Sequence, residues 1–196
     1  MLVHRNPRFT GLIFLITAIL CLKISGVAQT AGAYSGQNSS KDFALSSAVI
    51  QEGEFIPVKY SCSGLDISPE LKWKNAPPGV KSFALIFDDP DAPGGTWVHW
   101  VIYNIPAKVR RLPEDLQSRL PQDSLFDDIV QGVNSWKKKG YGGPCPPRGE
   151  THRYYFKLYA LDKNITRGGL TSEMLVKEMK GHILAEARLM GRFSRE

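Results

Sequence analysis

Residues 152–161 alternate between two kinds of side chain, and this constrains the fold more than any other stretch of the chain. His152, Tyr154, Phe156, Leu158 and Ala160 fall on one side of a two-residue repeat, and Arg153, Tyr155, Lys157 and Tyr159 on the other. A helix would mix these sets around its circumference, whereas a half-buried β-strand separates them. Further short runs at 43–50, 55–62, 71–74, 82–88, 98–105 and 185–193 read as strands, bounded by Pro, Gly, Asn and Asp. The same period gathers Trp97, His99, Val101 and Tyr103, so both histidines are expected to extend an aromatic face. Helix is scarce. One is expected over 171–184, opened by a Thr171 cap with Glu173 in its first turn, and a shorter one over 113–119. The predicted fold is mainly β: an antiparallel β-sandwich of two sheets with one or two small peripheral helices.

The first 28 residues read as a secretory signal peptide. Arg5 and Arg8 precede an apolar run at 12–22, and Gly26-Val27-Ala28 supplies the small residues of a cleavage site, with Ala31-Gly32-Ala33 as the alternative, cutting after residue 33. The run is shorter than the ~20 residues a membrane span needs and Lys23 interrupts it, so no integral span is expected in the mature chain. Residues 29–42, rich in Gly, Ser and Asn, read as a flexible tether, leaving 43–196 as a single domain. The leader implies export to the periplasm or beyond.

Removing the leader takes three of the 25 Lys and Arg and none of the 19 acids, which leaves a charge of about +3. So mild a balance excludes nucleic acid as an expected partner. Lys137-Lys138-Lys139 is the single basic run and reads as a solvated loop. Two cysteines remain, Cys62 and Cys145, in Gly- and Pro-rich surroundings and in an export context that permits a disulfide. Pairing requires their α-carbons to come within reach, which sequence alone does not decide.

Polar groups cluster at the ends of the apolar runs. Asp89-Pro90-Asp91-Ala92-Pro93 follows the strand at 82–88, His99 lies inside the next, and Gly143-Pro144-Cys145-Pro146-Pro147 leads to His152. Imidazole and loop backbone N–H groups suit anion capture, and an aspartate accepting from the far ring nitrogen fixes a histidine tautomer; Asp89 or Asp91 is placed for that part. Glycines permit close backbone approach and prolines remove freedom, so the 142–149 segment reads as a preorganised wall.

These motifs, with Trp97-Val98-His99-Trp100, Ile67-Ser68-Pro69-Glu70-Leu71-Lys72-Trp73 and Gly140-Tyr141-Gly142-Gly143, resemble those of the phosphatidylethanolamine-binding protein family, most closely its bacterial Raf-kinase-inhibitor-like YbhB/YbcL branch. The resemblance implies a surface cavity for phosphate, a carboxylate or a phosphorylethanolamine-like group. Carried over by position, Asp89, His99, His152 and Tyr154 line it, Asp91 and Pro93 shape its rim, and Pro144, Cys145 and Pro146 supply its wall. No cofactor or metal is implied.

The expected function is therefore that of an exported, non-catalytic anion-binding protein, with a role in regulating a partner. Two alternatives stand beside it. The polar segment at 110–128, with Pro113 and Pro121, would serve a serine-protease inhibitor as its exposed loop; Cys145 near His152 would serve a Cys–His hydrolase.

Overall fold

The computed structural model describes residues 42–120 and 122–196, so the expected leader and the tether up to residue 41 lie outside the described residues. Strands β1 (Ala44–Ser46), β2 (Leu71–Lys74) and β5 (Arg111–Leu112) form a three-stranded sheet in the order β1-β2-β5. The second sheet has the order β6-β4-β3-β7-β8, from β6 (Val130–Gln131), β4 (Trp97–Pro106), β3 (Ser82–Asp89), β7 (Thr151–Leu161) and β8 (Ile183–Ser194). Neighbouring strands in both sheets are antiparallel.

The apolar patterns dictate the layers. Phe83, Leu85 and Phe87 face inward and pack with Leu71, Trp73, Phe156 and Leu158 between the two sheets. Ala84 and Ile86 point the other way, into a second cluster with Leu170, Leu175 and Met179. Being covered on both faces, β3 is buried at all eight positions and shows no alternation. The outer cover is helix α2 (Ser172–Met179), whose Thr171 side chain accepts from the Met174 N–H. The helix is shorter than 171–184 because Gly181 adopts φ +80° and residues from Ile183 onward pair with β7. Continuous pairing along β8 satisfies more backbone than another helical turn.

Other expectations are corrected. The run at 55–62 is not a strand: Phe55 makes one bridge to Arg192, and after Pro57, which has no N–H to donate, Val58–Tyr60 forms a 3₁₀ turn. The run at 43–50 narrows to β1, and the helix at 113–119 to α1 (Leu116–Arg119). The two-residue strands β5 and β6 carry too short a pattern to be read.

The most consequential correction concerns β4. Phe87 pairs with Trp100 but Asp88 with Val98, so His99 is the extra residue of a β-bulge. Val101 and Tyr103 lie in the outer cluster. His99 instead turns inward with Trp100, its ring 5.3 Å from both Phe87 and Tyr154. The strict two-residue period expected for Trp97, His99, Val101 and Tyr103 is broken there. That break brings His99 to the same side of the sheet as Tyr154 and His152.

Candidate functional site

Asp89 ends β3 as a buried carboxylate with two partners. One oxygen accepts the Asp91 N–H at 2.9 Å, closing the turn, and the other accepts the His152 Nδ1–H at 2.8 Å. The Asp89 and His152 side chains are 4% and 5% exposed. His152 Nε2 lies 3.1 Å from the Glu150 carboxylate. Burial opposes a charge on this imidazole, but its hydrogen bonds to the Asp89 and Glu150 carboxylates outweigh it and raise the His152 pKa above its ordinary value. Asp91 turns away to Arg153, accepting from its backbone N–H, Nε and Nη2 at 2.9, 2.9 and 2.6 Å. The Arg153 guanidinium beside it holds the Asp91 carboxyl down at about 2. Two aspartates of one turn therefore have separate duties: Asp89 orients a histidine, and Asp91 ties the turn to β7.

His99 is oriented by backbone instead. Its Nδ1 donates to the Gly142 carbonyl at 2.9 Å, and the Gly142 N–H returns a bond to the His99 carbonyl at 3.1 Å. A carbonyl oxygen accepts only, so the proton sits on Nδ1 and the neutral ring keeps its lone pair on Nε2. Burial lowers the His99 pKa, which favours that neutral form. Trp136 closes over the ring, edge-on at 5.0 Å.

The opposite wall is the Gly-Pro segment. A side chain at Gly143 would overlap the Tyr60 carbonyl and Ser61 backbone, and the Gly143 N–H donates to Asp66 Oδ1 at 2.6 Å. The Tyr141 hydroxyl donates to the Tyr60 carbonyl at 2.7 Å, and the Cys62 N–H to the Pro144 carbonyl at 3.1 Å. Cys62 and Cys145 are bridged, with α-carbons 5.5 Å apart. Packing of the 61–66 loop against this segment supplies the proximity that the sequence left open.

These elements enclose a cavity of about 480 Å³. Of the expected site residues it is lined by Asp89, Pro93, His99, Cys145, Pro146 and His152; Asp91, Pro144 and Tyr154 stand outside the lining. Tyr154 is buried behind it, and burial, with the Asp89 charge added, pushes its hydroxyl pKa well up. That hydroxyl makes no hydrogen bond of full geometry among the described residues, although the Asp89 carboxylate and the Cys145 backbone stand near it.

Sequence reasoning missed Trp97, Trp136 and Arg195, all in the lining. Arg195 Nη1 reaches Cys145 Sγ at 3.3 Å, while its Nε is buried with no partner among the described residues. Its signal lay in strand pairing, since Thr151 opposite Ser194 brings the next residue alongside the His152 end of β7. A larger hollow of about 670 Å³ lies around Lys108, Arg110, Arg111 and Arg119. Glu70 and Glu114 also line it, already paired with Arg111 and Lys59, and it contains no histidine. Among the described residues no group of three His, Cys, Asp or Glu is arranged to hold a metal ion.

A family model described as phosphatidylethanolamine-binding protein matches residues 46–194. The chain belongs to the phosphatidylethanolamine-binding protein family. A UPF0098 protein of Aquifex aeolicus is 46% identical over 150 residues, covering 74% of this chain and 85% of the relative. One from Methanothermobacter thermautotrophicus is 48% identical over 143 residues, covering 71% and 91%. The crystal structure of a phosphatidylethanolamine-binding protein homologue from Chlamydia trachomatis matches with a TM-score of 0.72 at 40% identity, over 80% of this chain and 100% of that one. The structure of YbcL from E. coli, described as a member of the mammalian phosphatidylethanolamine-binding protein family, matches with a TM-score of 0.71 at 34% identity, over 79% and 99%. The YbhB/YbcL branch indicated by the motifs therefore fits.

Proposed function

We propose that this member of the phosphatidylethanolamine-binding protein family is a non-catalytic receptor for a small oxyanion: phosphate, a carboxylate or a phosphorylethanolamine-like group. The observation that carries the reading is a pair of histidines held in different protonation preferences around one cavity. His152, with its pKa raised by Asp89 and Glu150, supplies positive charge as pH falls, and the Arg195 guanidinium lines the same cavity. Neutral His99 offers a lone pair on Nε2, which suits a ligand oxygen that carries a proton, such as that of hydrogen phosphate. The unpartnered Tyr154 hydroxyl and Arg195 Nε add buried donors beside the same wall.

The leader sequence supports action in the periplasm or outside the cell, where an anion-loaded receptor would regulate a partner protein. Detection of the processed chain in an envelope or culture fraction tests that part. The hydrolase alternative gains nothing, since Cys145 is bonded to Cys62 and has no thiol to offer. The inhibitor alternative gains little: the 110–128 segment anchors Leu112, Leu116 and Phe126 in the core, and Ser68 Oγ accepts the Leu116 N–H.

The test is an NMR titration of the mature domain with phosphate, acetate and phosphorylethanolamine, following the His99 and His152 rings beside a His152→Ala control. Saturable shifts confined to the wild type support the pocket. Unchanged ring signals at millimolar ligand would remove it.

A further inference from the structure

Two indoles of the cavity lining continue outward into a surface whose exposed chemistry the anion reading does not use. Trp97 and Trp136 meet edge to face at 5.4 Å and remain 37% and 39% exposed. Trp136 is followed directly by Lys137, Lys138 and Lys139, all exposed. Among the described residues, none of the three amines lies within salt-bridge distance of a carboxylate. Asp66 shares a small hollow with Lys138 and Lys139, but its Oδ1 is engaged by the Gly143 N–H.

This tip is built rather than loose. The buried Asn134 accepts the Trp136 and Lys138 N–H groups on its side-chain oxygen, each at 3.0 Å, and donates to the Gly140 carbonyl. Lys137 holds φ +60°, the left-handed region, so the turn is fixed with a lysine where glycine would be easier. The two indole rings line the edge of the cavity, and the three exposed lysines follow Trp136 directly on the same fixed turn.

We propose that the Trp97 and Trp136–Lys139 surface docks this protein on an anionic lipid bilayer. Indole rings prefer the boundary between headgroups and acyl chains, and clustered lysines are drawn to an anionic surface at short range. A nucleic acid would call for a longer basic stripe than three consecutive lysines on a domain left at about +3 once the expected leader is removed. An acidic protein partner accounts for the lysines but not for two half-exposed indoles beside them. Docking rests on this surface and not on the oxyanion reading, so either stands if the other fails.

The experiment is vesicle flotation and tryptophan fluorescence of the mature domain, with vesicles of pure phosphatidylcholine and of phosphatidylcholine with phosphatidylglycerol. The variant carries Lys137→Gln, Lys138→Gln and Lys139→Gln together. Binding is expected only with the anionic lipid, with a blue-shifted emission, and is expected to weaken strongly in half-molar salt. The triple variant should lose roughly a hundredfold in partitioning, from the attraction of three lysines to an anionic surface. Its phosphate titration should match the wild type, which shows that the pocket is intact. Equal partitioning to both vesicles, or full partitioning by the triple variant, overturns the proposal. Complete competition by free phosphorylethanolamine also overturns it, since capture would then run through the pocket alone.

Discussion

Replacing Asp89 by Asn tests the central pair of the site with a change of charge and almost none of shape. The wild-type carboxylate accepts two hydrogen bonds, from Asp91 N–H and His152 Nδ1–H, while almost fully buried. An asparagine keeps both by accepting from Asp91 with its oxygen and donating with its amide to a His152 that has moved its proton to Nε2. Two charge-assisted bonds become two neutral ones, at a cost of about 1 kcal/mol each, or ~2 kcal/mol in total. Asp89→Ala instead leaves both donors unpaired and should cost ~3 to 5 kcal/mol. With a urea slope of about 2 kcal/mol/M, the midpoints should fall by about 1 M and about 2 M.

The pH dependence sharpens the test. His152 has a folded pKa above its unfolded value, so its contribution to stability is full below the unfolded pKa and is lost as pH rises through the folded one. In Asp89→Asn the Asp89 share of that contribution is lost and only that of Glu150 remains, so the gap between the two proteins should widen as pH falls from 8 to 6. His99, whose pKa is depressed by burial and partly held up by the Asp89 charge, loses stability over the same descent in both proteins, and more so in the variant, which widens the gap in the same direction. NMR titration of the ring should show His152 moving to a lower pKa in the variant. A His152 titration that does not move, or a stability gap independent of pH, would refute the assignment of Asp89 as the group that holds and charges this ring.

Three other outcomes are expected. Acetate keeps its charge between pH 8 and 6, so its affinity should rise about fivefold over that descent as His152 gains a proton and the exposed Glu150 carboxylate yields the Nε2–H to the ligand, a gain of about 1 kcal/mol for a charge-assisted bond; calorimetry of His152→Gln should show a flat profile. Asp91→Asn should remove stability that is present above pH 4 and lost as the carboxyl titrates down toward about 2; because the Arg153 partner is half exposed, the effect is only about 1 kcal/mol, read from acid denaturation of both proteins. Cys62→Ser opens a link between residues 83 apart, so thermal unfolding should reveal a loss of ~2 to 4 kcal/mol, and anion affinity should drop with it because the Pro144–Pro146 wall loses its tie.

Much of the architecture was legible because its causes are local. The two faces read from His152 to Ala160 persist in β7, with Tyr159 buried on the outer face, since the steric rule behind them acts between neighbours in the chain. Thr171 caps its helix for the same reason. The residue types around the cavity were also legible, because Asp, His, Gly and Pro beside apolar strands are conspicuous before any fold is known.

What the sequence by itself could not assign was which partner each group takes. Asp89 and Asp91 are two positions apart in one turn and equivalent on paper, yet one orients a buried histidine and the other pairs with an exposed arginine. His99 reaches the cavity because a bulge in the pairing of β4 with β3 reverses its face, and register is a property of two strands rather than of either alone. Arg195 joins the wall through the pairing of β8 with β7, and Trp136 through a turn clasped by Asn134. The sequence by itself determined a β-sandwich and the chemical inventory of the cavity. Tertiary structure decided the geometry, because hydrogen-bond partners and burial are set by residues distant in the chain, and the energies that choose among them exist only once the sheets have packed.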